Sequence, residues 1–130
     1  MNKILYFSAI LLFAVWGCSP KIDYKGYVPE NVNNFSTGFI TQVLQGNIDS
    51  SMELLAPNMK NENGHAVLTN TYQNLQKFPI DTFTIANADK RILMGSEGYT
   101  DYSIMYECKS ENKFVYFAIG IHDAQNKLTV

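Results

Sequence analysis

At Pro79 the spacing of apolar side chains along this chain changes from about 3.6 residues to 2, and that switch constrains the fold more than any other feature. Upstream, Val32, Phe35, Phe39, Val43 and Leu44 recur at three- and four-residue steps, which places them on one face of a helix. Asn33 or Asn34 offers a cap for its start, and Gly46 stands where a C-terminal glycine belongs. In NIDSSMELLAP, Asn47 caps a second helix, Ser50 and Glu53 have the spacing of a capping box, and Ile48, Met52 and Leu55 form an apolar face ahead of Pro57. After a polar NMKNENG loop, a third helix runs from His65 and carries Leu68, Tyr72, Leu75 and Phe78 on one stripe until Pro79 stops it.

Downstream of Pro79 the apolar residues alternate. Phe83 and Ile85 mark one strand, Tyr102, Ile104, Tyr106 and Cys108 a second, and Val115, Phe117, Ile119 and Ile121 a third. KSENK suits a hairpin loop between the last two, and DAQNK leads to a short final strand from Leu128 to Val130. Helices first and strands afterwards predict an α+β fold: three N-terminal helices packed on one face of a curved antiparallel sheet of three to four strands.

The first 17 residues fall outside that domain. A basic start at Lys3 precedes a run from Ile4 to Trp16 whose polar groups are only Ser8 and the Tyr6 hydroxyl. A bilayer-spanning helix needs about 20 apolar residues, so this run has the size of the apolar centre of an export signal. SPKIDYKGYVPENV, with two prolines and a glycine, reads as a tether reaching roughly 20 Å on average. The expected organisation is therefore a signal at 1–17, an N-terminus and tether at 18–32, and one domain at 33–130. A single domain of this size buries enough surface to stand on packing alone. It has to, because two cysteines, Cys18 and Cys108, cannot make the disulfide framework of a small secreted scaffold.

Val15-Trp16-Gly17-Cys18 resembles the lipobox of bacterial lipoprotein signal peptides, with an aliphatic residue three places before the cysteine and a small residue directly before it. Trp16 departs from that pattern, which usually has a small residue there. The resemblance implies cleavage before Cys18, acylation of its thiol and of the freed amine, and a membrane anchor. Two or three acyl chains hold a protein stably where one does not. Ser19 is similar to the residue found in lipoproteins sorted to the outer membrane, so the implied location is the bacterial cell envelope, on the outer membrane facing the periplasm. The order of helices and strands, with Gln45-Gly46-Asn47 between the first two helices and Glu53-Leu54-Leu55-Ala56-Pro57 closing the second, resembles the nuclear transport factor 2-like, or cystatin-like, α+β fold. That fold hosts isomerases, dehydratases, transport factors and association domains, so the likeness implies an architecture and no single activity. A last strand shorter than that fold's leaves either a small sheet or an edge for a partner strand to complete.

Chemistry is sparse. Net charge is −2 with no basic cluster, which excludes nucleic acid as a partner. His65 and His122 have no second ligand at metal spacing, and no phosphate loop or nucleophile motif occurs, so no cofactor is expected. Cys108, between apolar strand neighbours, reads as a small core residue. Tyr102 and Tyr106 share one strand face, and Tyr116 and His122 share a face of the next. These four are the candidate ligand-binding residues, Asp101 joins them as a candidate for proton transfer in an enzyme, and the same surface equally suits a helix-packed core edge or a dimer interface. No catalytic residue is assigned. The expected function is a non-enzymatic domain anchored through Cys18 that binds a ligand or a protein through its sheet face or the mouth between sheet and helices, with a protein partner or a second copy meeting the sheet. The alternatives are an isomerase or lyase using a pocket carboxylate and a tyrosine, or an inhibitor or immunity-type protein that binds a secreted enzyme.

Overall fold

A computed structural model describes residues 23–24, 26–76, 78, 80, 82–110 and 112–130, the side chain of Ser110 excepted. Cys18, the signal and residues 19–22 and 25 of the tether lie outside the described residues. The chain is α+β. Three helices, α1 (Glu30–Leu44), α2 (Ile48–Glu53) and α3 (Glu62–Leu75), with a short 3-10 turn at Pro57–Met59, precede an open antiparallel sheet of four strands. The strands are β1 (Thr82–Leu93), β2 (Tyr99–Ser110), β3 (Lys113–Ala124) and β4 (Lys127–Thr129), in the order β1-β2-β3-β4. Among the described residues the helices lie between Glu30 and Leu75, in the middle of the chain.

The helix starts differ from the sequence expectation for local reasons. α1 begins at Glu30 behind Pro29, whose φ of −57° already suits a helix, and no side chain caps it. Val28 and Val32 are both buried, so the packed domain begins ahead of residue 33. Asn33 serves elsewhere: its Oδ1 accepts from the Tyr106 hydroxyl at 2.8 Å. Tyr24, inside the expected tether, donates its hydroxyl to Asn87 Oδ1 on β1 at 3.0 Å. At the start of α2, Asn47 stands at the cap position without a side-chain bond, and Ser50 lies inside the helix, so no capping box forms. α3 begins at Glu62 and not at His65, because Asn61 Oδ1 accepts the Gly64 N–H at 3.0 Å and so converts half of the expected loop to helix.

Two glycines permit close approach. Gly46, with φ at +80°, turns the chain out of α1 directly beneath the Tyr72 ring. At Gly64 a β-carbon would overlap the Met59 carbonyl oxygen, so α3 can sit this near the 3-10 turn only with glycine there.

The core lies between the helices and one sheet face. Phe39, Ile40 and Val43 of α1 and Leu68 of α3 meet Tyr102, Ile104, Tyr106 and Cys108 of β2 and Ile119 and Ile121 of β3 in one buried cluster. On β1 the register shifts between Ile85 and Asn87. Phe83 and Ile85 pair with Cys108 and Tyr106, but beyond the shift Ala88 pairs with Ile104. The extra residue, Ala86, is a bulge that exchanges the odd and even faces of the strand.

β4 pairs only with His122, Asp123 and Ala124. Val130 leaves the sheet, donating its N–H to Leu54 O at 3.0 Å and accepting from the Ala56 N–H at 2.8 Å. The expected final strand at 128–130 is therefore displaced one residue earlier. Among the described residues no strand pairs with the outer side of β3 from 113 to 121.

Candidate functional site

The free stretch of β3, 113–121, borders a groove. α1 contributes Phe39, Ile40 and Val43, α3 contributes Val67, Leu68 and Thr71, and Phe117 and Ile119 of β3 form the opposite wall, with Leu55, Met59 and Val130 closing one end. The space measures about 470 Å³, within the range of about 300 to 1,000 Å³ usual for ligand pockets. Among its side chains the polar lining is uncharged: Asn58, Asn61, Asn63 and Thr71 supply amides and a hydroxyl. A wall of this kind can bury apolar groups and offer a few hydrogen bonds at the rim.

The sequence did not single out these residues. Val67 stands one position from the core stripe at Leu68 and is exposed, which widens the apolar arc of α3 beyond what packing on the sheet needs. That excess is the signal in the sequence, and it becomes a groove only once α1, α3 and β3 are brought together.

The four expected binding residues do not form one surface. Tyr102 and Tyr106 point into the helix-packed core, while Tyr116 and His122 stand on the opposite face. The cause is register: Tyr102 lies opposite Ile121 and Tyr106 opposite Phe117, so the even residues of β2 share a face with the odd residues of β3. Burial pushes both core phenols above their ordinary range. Cys108 is equally internal. Desolvation, with Glu107 adding to it, pushes its thiol up to about 11, so at neutral pH it behaves as an inert core residue.

On the outer face, Arg91, Asp101 and His122 stand in one row across β1, β2 and β3. Asp101 accepts from Arg91 Nη2 at 3.0 Å through one oxygen and lies 2.6 Å from His122 Nδ1 through the other. The His122 hydrogen bond holds the Asp101 carboxyl below the ordinary carboxylate range against partial burial, and Arg91 adds to the effect. The Tyr99 ring lies 4.6 Å from the His122 ring, and the row borders a hollow of about 580 Å³ that also reaches Asp89, Tyr102, Ser103 and Gly120, so that Tyr102 and His122 share its lining. Three positions further along the same face, Tyr116 donates to Glu107 Oε2 at 3.0 Å, and that bond raises the phenol. Arg91 was absent from the sequence-derived site because the bulge at Ala86 decides which face it takes.

Among the described residues no group of three His, Cys, Asp or Glu side chains is placed to hold a metal ion, and no helix is long and apolar enough to cross a membrane. No protein-family model, curated protein or solved structure matches the chain.

Proposed function

We propose that this chain is a membrane-anchored, non-enzymatic binding domain of the bacterial cell envelope, held at the outer membrane by acylated Cys18, whose groove takes an extended polypeptide segment. One observation carries the binding mode: an apolar groove runs beside a strand edge whose outer backbone groups, among the described residues, no strand pairs with. A guest laid along β3 from 113 to 121 meets those groups by strand addition, and every second side chain turns toward Phe39, Val43 and Val67. The helices-then-meander order supports a nuclear transport factor 2-like architecture, with the guest in the place of that fold's last long strand. A guest strand supplied by a secreted enzyme would make the chain an inhibitor or immunity-type protein.

Two measurements test the reading. Metabolic labelling with a palmitate analogue is expected in the wild-type chain and absent in Cys18→Ser; label that persists defeats the anchor. For the groove, a synthetic peptide alternating valine and threonine is expected to raise the midpoint of thermal unfolding, because a ligand that binds only the folded state stabilises it. Val67→Arg, at an exposed helix position, should abolish that rise and leave the unliganded midpoint nearly unchanged. A free fatty acid that stabilises the protein where the peptide does not would replace the strand guest with a lipid.

A second reading rests on the Asp101–His122 pair. A carboxylate at Nδ1 orients the imidazole and leaves Nε2 to accept a proton, the arrangement an isomerase or lyase would use. His122→Ala would abolish such an activity.

A further inference from the structure

Three consecutive large apolar side chains stand in solvent at the tip of the β1–β2 hairpin. Ile92 is 60%, Leu93 39% and Met94 94% exposed. The turn that follows, from Gly95 to Gly98, carries one charge, Glu97. The two basic residues just before the tip are held against the sheet: Lys90 Nζ lies 4.9 Å from the centre of the Tyr27 ring, and Arg91 is bonded to Asp101. The tip thus presents three exposed apolar side chains beside the polar turn that carries Glu97. Side chains this exposed contribute nothing to the core, and their clustering marks a contact surface.

The length of the chain's own leash says what covers them. Tyr24 is fixed to β1 through its bond to Asn87. From Cys18 to Tyr24 the chain advances six residues, which fully extended span at most about 20 to 22 Å. From Asn87 to Leu93 it also advances six residues, along a strand that rises about 3.3 Å per residue, or about 20 Å in all. The two lengths match. A bilayer that holds acyl chains on Cys18 therefore lies no more than about 20 to 22 Å from Tyr24, near enough for the tip to meet it.

We infer that Ile92, Leu93 and Met94 seat in the boundary between headgroups and acyl chains of the bilayer that holds Cys18, as the domain's second membrane contact. This rests on the anchored reading above. Apolar side chains presented beside a polar base are suited to that boundary, where the apolar part enters the acyl layer and Glu97 and the strand backbone stay among headgroups. The domain then stands on its hairpin tip and directs the β2–β3 turn at Asn112 away from the membrane.

The test uses the full mature chain, acylated at Cys18 and reconstituted in vesicles of phosphatidylethanolamine with a minor share of phosphatidylglycerol. An environment-sensitive fluorophore is attached in Met94→Cys or, at the far end of the sheet, Asn112→Cys; buried Cys108 stays unlabelled. Flotation reads the anchor, and quenching by lipids brominated along their acyl chains reads the tip. The expected result is that both proteins float, that the label at 94 emits to the blue of the label at 112, and that it is quenched several-fold more strongly. If both float but the label at 94 is quenched no more than that at 112, the tip contact is overturned and the anchor stands. Blue emission without quenching overturns it too, because the tip is then covered by protein, such as a second copy. Chains that do not float remove the anchor, and the inference falls with it.

Discussion

Tyr106 and Tyr116 sit on adjacent strands, and each donates its hydroxyl to a side-chain oxygen at about the same distance, 2.8 Å to Asn33 and 3.0 Å to Glu107. They differ in what surrounds that bond. Tyr106 is 1% exposed and joins the sheet to α1 across the core, whereas Tyr116 is 56% exposed and its partner is the residue opposite on the next strand. Similar geometry therefore carries different energy. In the core, loss of the partner strands a desolvated polar group, while on the outer face water takes its place. The inner face of this sheet holds the fold together and the outer face is free to be changed.

The largest test of that contrast is Tyr106→Ala, expected to cost about 3 to 5 kcal/mol because it empties a ring-sized space in a packed core. Tyr106→Phe keeps the ring against Phe83, which meets it edge-on at 6.0 Å, and should cost about 1 kcal/mol through the lost hydrogen bond. Denaturant titration at fixed pH reads both, and a Tyr106→Ala chain as stable as wild type would break the comparison.

A smaller effect is expected at Asp101, whose carboxylate is about one third exposed. Asp101→Asn should cost under about 1 kcal/mol at neutral pH, the range of a surface ion pair. The pH dependence gives the sign. The folded-state carboxyl titrates below its ordinary value of 3.8, so its contribution is fully present above that value and is lost as pH falls through the lower folded value. The variant should thus show a shallower loss of stability below about pH 4, and an unchanged acid limb would show that the row with Arg91 and His122 stores nothing. Smallest of all, Tyr116→Phe should leave the unfolding midpoint where it is. A measurable drop there would mean that the outer face is covered in solution.

Much of this architecture is legible in the sequence. The change of period at Pro79 separates helices from strands, and the run Tyr102, Ile104, Tyr106, Cys108 gives the inner face of β2 directly. The helix starts are less legible because they depend on competition for side chains: Asn33 looks like a cap but is taken by Tyr106, and Pro29 starts α1 by its ring geometry alone. Grouping the four candidate residues required the register between β2 and β3, which alternation within one strand does not contain. Alternation predicts that Tyr116 and His122 share a face, and they do, but it is silent on whether that face is also Tyr102's. The groove was least legible, because Val67, Val43 and Phe117 come from three elements and meet only when α3 is held close by Gly64.

The bulge on β1 has a genetic consequence. Ala86 is the one residue by which the strand changes sides, so loss of its codon would leave Ile85 opposite Tyr106 and Asn87 opposite Met105 in unbroken alternation, with Phe83, Ile85 and Ala88 still turned inward and Asp89 and Arg91 outward. A codon lost further along, at Asp89, has no such outlet and would turn Lys90, Arg91 and their successors over. Residue 86 should therefore accept a deletion that the rest of the strand does not.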